Sequence, residues 1–472
     1  MVTILLFALT GVSPAQKLTQ LVHPAPNGAI VDYLLTDGTV MVQGGNCSDW
    51  WRLTPNSSGS YVKGTWKQTA SLPSGYAPYA AAGAVLADGR LLVSGGEYSN
   101  CGAEFTLTNQ SAIYDPKANK WTMVAPPKGW YDIGDSPSVV LPNGLFLLGR
   151  KTNKDMAVLD PATLKWTAVG STGKSDFNAE EGWTLMPDGT VLTYDVKHNP
   201  NSELYDPSSQ TWVSAGSTKA NLQGPPEVGC LHYGHNHIYC PPGETGPGIL
   251  RPDGTVFATG AFHMGASTGH TAIYNPALSA TDKWTAGPDF PNGDAAGDSF
   301  AALLPNGHVL VLGNSGTMYE FNGSTLTPTA EDYGSLIVMP TGEVLVGGAA
   351  AYTSTGTYKN SWAPKITSFP ATVTRGSTYK ISGQQFNGLS QAAAFGDEFE
   401  TATNYPLVRI RNRATGHVFY ARTHDHSSMG VATGKAIVST KFDVPAGMET
   451  GGSSLVVVAN GIPSKAVSIT VE

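Results

Sequence analysis

Seven turns of one kind punctuate this chain: "TDG" at 36–38, "ADG" at 87–89, "PNG" at 142–144, "PDG" at 187–189 and 252–254, "PNG" at 305–307 and "PTG" at 340–342. Each follows a short apolar run such as "SVVL" or "AALL" and precedes another such as "VMVQGG" or "VLVLG". Asp-Gly or Asn-Gly between apolar runs is a strong hairpin signal, because both residues accept the positive φ of a type I′ turn. A second signature follows most hairpins: "IYDP…W" at 113–121, "VLDP…W" at 158–166, "LYDP…W" at 204–212 and "IYNP…W" at 273–284. It places a turn between a third and a fourth strand, with the Trp on the outer strand packing between units. Seven units of four strands predict an all-β chain built around a seven-bladed β-propeller over residues 17–362. A two-sheet sandwich would leave seven aligned turns without a reason.

Composition agrees with a turn-rich β protein: 55 Gly, 32 Pro and 14% charged residues among 472. The formal charge of −8, with Lys and Arg scattered, argues against nucleic acid and anionic membrane surfaces. The apolar start, "MVTILLFALTGVSPAQ", reads as an export signal over 1–16 that lacks the usual basic residues. No later run reaches the length of a membrane helix. The four cysteines form no C-x-x-C pair, and pairings Cys47–Cys101 and Cys230–Cys240 are expected in a secreted, monomeric chain.

The blade pattern stops near Ala363, and residues 363–472 show period-two strands, as in "TYKISG" and "SSLVVVAN". They predict an immunoglobulin-like β-sandwich. Kelch-like repeats followed by such a unit resemble the galactose oxidase and glyoxal oxidase family over nearly the whole chain. In that family a hairpin of the C-terminal unit enters the propeller channel and a His of a "TH" pair ligates copper. The stretch "YARTHDHSSMGVATG" at 420–434 is similar to that element, which makes His424 or His426 the expected ligand. The rest of the copper-radical site does not carry over. Asp332 and Tyr333 stand where the family has a Tyr-His pair, and no Cys lies on an inner strand. No Cys–Tyr radical cofactor is therefore expected.

Propeller geometry places the loops entering each innermost strand and the loops after the Gly-Gly ends on one face. Entering loops bring Asp132, Asp135, Glu180, Glu181, Glu244, Asp294, Asp298, Asp332 and Tyr333; exit loops bring Arg150, Lys151, Lys197, His198, His263 and His270. The blade-five insertion adds His232, His235 and His237. Converging carboxylates and imidazoles can bind a divalent metal. Crowded carboxyls can instead act as the acid and base of sugar chemistry. Either use competes with the ordinary role of loop Asp and Glu in satisfying backbone amides. The candidate catalytic residues are Asp332, Tyr333, Asp298, Asp135 and Glu181. The candidate ligands of a divalent metal, copper or calcium, are His424, His426 and His263. Trp50, Trp51 and Trp130 are candidate stacking platforms for a sugar ring. The reading is a secreted propeller protein that binds or acts on a carbohydrate or polyol. The alternatives are a copper-radical oxidase with a rearranged site and a non-catalytic glycan-binding module.

Overall fold

The computed structural model describes residues 17–224, 229–234, 236–261, 268–279, 281–397 and 399–472. The export signal expected at 1–16, His235 and His263 lie outside them. Seven four-stranded antiparallel blades form the propeller, with innermost strands Asp32–Leu34, Ala82–Val85, Ser138–Val140, Thr184–Leu185, Thr245–Leu250, Ala301–Leu303 and Leu336–Val338. Blade seven takes its outermost strand from the other end of the propeller: Lys17–Gln20 pairs with Ala350–Thr353, Lys17 opposite Thr353. That pairing closes the ring.

The outer-strand tryptophans pack between blades. Trp121 of blade two lies 5.1 Å from Trp50 of blade one, and its indole N–H donates to the Ala70 carbonyl at 3.0 Å. Trp284 of blade five meets Tyr194 of blade four at 6.2 Å, edge to face. The seven hairpin turns are present, but their geometry corrects the type I′ expectation. Only the glycines take positive φ, from 75° at Gly38 to 88° at Gly189, and the preceding Asp, Asn or Thr does not. Each Gly N–H donates to the carbonyl three residues earlier, as Gly38 does to Leu35 at 2.9 Å. These are type I turns followed by a glycine bulge. The Asp or Asn side chain accepts the amide two residues on instead, as Asp37 does from Thr39 at 3.1 Å.

Residues 365–471 outside the channel form a curled sheet whose path runs Lys365–Ser368, Thr378–Gln384, Ile437–Asp443, Val418–His424, Leu407–Asn412, Gly451–Ala459, Val467–Val471 and Thr372–Val373. Val418–His424 produces the curl. Its first half pairs with Leu407–Asn412 and Arg422 to His424 pair with Ile437–Asp443. The enclosed core includes Ile381, Val408, Ile410, Phe442, Leu455 and Ile469.

This unit sits on the turn face of the propeller, and here the stretch 420–434 is corrected. It runs across the turns of blades one to three: Thr423 N–H donates to Thr36 O at 3.0 Å, His426 N–H to Ala87 O at 3.1 Å and Met429 N–H to Pro142 O at 3.0 Å. What threads the channel is a different hairpin, 391–405. Its strand Ala393–Ala394 adds to the inner edge of blade six, Ala394 opposite Ala301, as a fifth strand. The chain turns near Gly396 and descends to Tyr405, whose hydroxyl donates to Leu34 O.

The turn glycines carry two separate demands. At Gly38 a Cβ would lie 2.5 Å from the Tyr420 ring, whereas at Gly254, with φ 85°, nothing lies within 4 Å. Gly254→Ala is expected to cost about 1 kcal/mol from backbone strain alone. Gly38→Ala is expected to cost at least about 1 kcal/mol more by denaturant unfolding, because it also pushes the curled sheet off blade one. Equal costs would show that the Tyr420 contact contributes nothing.

Candidate active site at the channel mouth

The tip of the channel hairpin and the loops around it make one acidic well. Close passage there requires absent side chains: a Cβ on Gly182 would stand 2.1 Å from Gly396 O. Beneath the tip, Phe395, Phe399 and Phe300 pack together, with centroids 4.6 Å apart for Phe300–Phe395 and 5.2 Å for Phe395–Phe399. They fill the channel and give the well a floor.

Carboxyl groups arrive from six directions. Glu97 comes from the exit of blade two; Asp135, Glu180, Glu244 and Asp298 come from the loops entering blades three, four, five and six; Asp397 comes from the hairpin tip. An ammonium answers three of them. Lys151, fully buried, places Nζ 2.5 Å from Asp135, 2.6 Å from Glu180 and 3.4 Å from Glu97. Its pKa is pushed well up: burial opposes the charge, but Asp135 and Glu180 outweigh it.

One cation cannot neutralise this many acids, so protons do the rest. Burial pushes the Asp135 carboxyl well above its ordinary range, and the charges of Glu97, Glu180 and Asp397 add to it. Asp298 is open to solvent at its surface, yet the packed walls desolvate its carboxyl and push its pKa well up. Glu244, Asp397, Glu180 and Asp135 crowd it further.

The disulfide-closed hairpin 230–240 forms one wall. Its tyrosines make inward contacts. Tyr239 donates to Glu180 at 2.7 Å and Tyr233 to Asp132 at 2.7 Å, with Phe105 packed against both rings. Asp132 also pairs with Arg150. His237 faces outward and stacks on Tyr131 at 4.1 Å. Beside the well a groove of about 470 Å³ runs between Phe177, Lys197, Ile238 and Tyr239. Around this face stand Tyr79, Tyr131, Phe177, Ile238 and Tyr333, all among the large apolar residues most open to solvent.

Of the residues singled out from sequence, the structure brings Asp135 and Asp298 together. Glu181 lies apart, buried beside Lys174 at 2.7 Å within blade four. Tyr333 is on the same face but bends over blade six, its hydroxyl donating to Ser315 O at 2.9 Å, with Asp332 beside it. His424 and His426 are on the opposite face. His424 contacts Asp443 at 3.1 Å; His426 lies parallel to the Tyr405 ring and bonds Thr440 at 2.9 Å. Burial, then the charge of His424, holds the His426 imidazole down at about 3, so it stays neutral. Trp50 and Trp130 are buried in blade packing and offer no platform. Glu97, Asp397, Tyr233 and Tyr239 were not singled out. Only the Cys230–Cys240 closure, which restricts where the intervening aromatics can reach, pointed toward the tyrosines.

Both expected disulfides are formed, Cys47–Cys101 and Cys230–Cys240. No family model matches the sequence. Over 129 residues, 27% of this chain, it is 26% identical to the kelch-like protein terF of Aspergillus terreus, and the match spans 26% of that relative's length. Among solved structures, a fungal alcohol oxidase of the AA5 family in complex with copper aligns at TM-score 0.50 and 14% identity, over 98% of this chain and 100% of that one. The chain has a galactose-oxidase-like fold. Virginiamycin B lyase from Staphylococcus aureus aligns over 72% of this chain and 99% of its own at TM-score 0.48 and 9% identity. Among the described residues, the donors gathered at the mouth are carboxylates, which are not the soft ligands that favour copper. The channel hairpin carries Asp397 and Glu400, and all four cysteines are closed in disulfides. Carboxylates suit harder cations, and Lys151 already sits among three of them.

The crowding has a measurable sign. Asp135 and Asp298 keep protons when folded that the unfolded chain releases above pH of about 4. Their contribution to stability is complete below that pH and is lost as pH rises toward the folded values. Stability should therefore fall from acid toward neutral pH, and Asp298→Asn should flatten the fall in urea unfolding. An unchanged slope in the variant would place the proton uptake elsewhere.

Proposed function

We propose that this protein is secreted and cleaves glycosidic bonds of a neutral carbohydrate at the channel mouth by carboxyl acid–base chemistry. The observation that carries the reading is the crowding of Asp135, Asp298 and Asp397 with Glu97, Glu180 and Glu244, of which Asp135, Glu180 and Glu97 pair with the buried Lys151. Crowding keeps some of these acids protonated and leaves others as bases, the division of labour that glycoside hydrolysis uses. Asp298, the member most open to solvent, donates its proton to the departing sugar oxygen as the C–O bond breaks. Glu180, anchored by Lys151 and Tyr239, takes a proton from the attacking water. The exposed aromatics around the well offer apolar ring faces to sugars. The disulfides support export.

The same aromatic rim favours a second reading, a glycan-binding module without turnover. The two separate in one experiment. Wild type and Asp298→Asn are assayed on a panel of oligosaccharides for reducing-end release and for binding. The hydrolase reading expects release that falls by about 100-fold or more in the variant with binding kept. It also expects the rate to fall as pH rises past the Asp298 pKa. Binding without release in wild type favours the module, and copper-dependent peroxide formation would overturn both.

A further inference from the structure

Blade four carries a second cluster that the channel chemistry does not use. The loop entering the blade supplies Lys174, Asp176 and Glu181, and the exit from strand Val191–Tyr194 supplies Asp195 and His198. Lys174 is taken up by its neighbours: its Nζ lies 2.7 Å from Glu181 and 2.7 Å from Glu203. Asp195 is 1% exposed, and in its ionised form neither carboxylate oxygen has a hydrogen-bond donor to accept from. An anion buried in that way is costly unless something positive meets it. Lys174 acts on it only as a charge, while Glu203 and Asp176 crowd it and a hydrogen bond to Glu203 forms only when Asp195 carries a proton, which a bound cation would displace.

The groups facing Asp195 are held in place. Asp176 accepts backbone N–H groups from Lys197 at 2.5 Å, His198 at 3.2 Å and Phe177 at 2.8 Å. The hydroxyl of Ser175 lies 3.1 Å from His198 Nδ1 and orients the ring. One oxygen of Asp176, one of Asp195 and one ring nitrogen of His198 lie within 4.8 Å of one another. His198 is exposed, while Asp176 and Asp195 are buried, so the cluster reaches the surface on the imidazole side.

We propose that Asp176, Asp195 and His198 form a site for one divalent transition-metal ion, Mn²⁺ or Zn²⁺. Two carboxylates with one imidazole match the ligand preference of these ions, and water completes the shell from the open side. The ion supplies the positive partner that Asp195 lacks. It also ties the loop ending in Glu180, whose backbone stands at φ 59°, to the exit of the neighbouring strand. The site shares no ligand with the channel mouth, so it stands or falls independently of the glycan chemistry.

The test is titration of the chelator-treated full chain with MnCl₂ and ZnCl₂ by calorimetry, with thermal unfolding alongside. One equivalent of either ion should bind and raise the melting temperature. Asp195→Asn should weaken binding by about tenfold or more, and so should His198→Ala, a surface change that leaves the core packing alone. Asp298→Asn, in the channel mouth, should bind as wild type does. Failure of wild type to bind either ion overturns the proposal, as does binding that survives His198→Ala. Binding lost in Asp298→Asn would assign the ion to the channel mouth instead and overturn it equally.

Discussion

A ring of seven blades leaves a hole on its axis, and everything functional in this molecule depends on how that hole is filled. Where a chain runs directly beside an inner strand, small residues allow the close approach, as Ala393–Ala394 do beside Ala301–Ala302. Residues 391–405 do so, extending blade six by backbone hydrogen bonds and stacking Phe395 and Phe399 on Phe300. A channel filled in this way becomes a cup. Its floor is apolar, and its contents are determined by the loops above.

Those loops set a charge problem that the fold solves twice. At the mouth, Lys151 holds three carboxyl groups directly, and protonation relieves the remainder. In blade four, Lys174 bridges Glu181 and Glu203 over the face of Trp212, 4.8 Å from its ring. Both lysines are fully buried with raised pKa values, because nearby anions exceed the penalty of desolvation. A buried lysine with several acids is thus a repeated device: Lys151 fastens loops of adjacent blades, and Lys174 fastens the entering loop to blade four itself.

The propeller was legible because its signals are local. A glycine at each turn, an apolar run on each side and a Trp on the outer strands of blades one to five are consequences of one repeated unit, and the disulfides follow from loop positions. The channel element was not legible, for a physical reason. "SSMG" at 427–430 and "QAAAFG" at 391–396 are both runs of small residues. One lies against Pro142 of the blade-three turn, and the other enters the axis. Local composition asks for close approach to backbone in both cases, and only the connectivity of the curled sheet decides which partner each one meets. The faces of the blades were read correctly from repeat geometry, which is why Asp135 and Asp298 could be named. Asp397 lay beyond that reasoning, because its partners are distant in sequence.

Ring closure by Lys17–Gln20 has a consequence in time. This strand leaves the ribosome long before Ala350–Thr353 exists to receive it, and the channel hairpin emerges later still. Blades can form in order as they appear. The belt, however, buckles only after the seventh blade is made, and the axial hairpin can be threaded or enclosed only from then on. The crowded acids of the mouth therefore meet one another at the last stage of assembly, when the scaffold that must bear their repulsion is already complete.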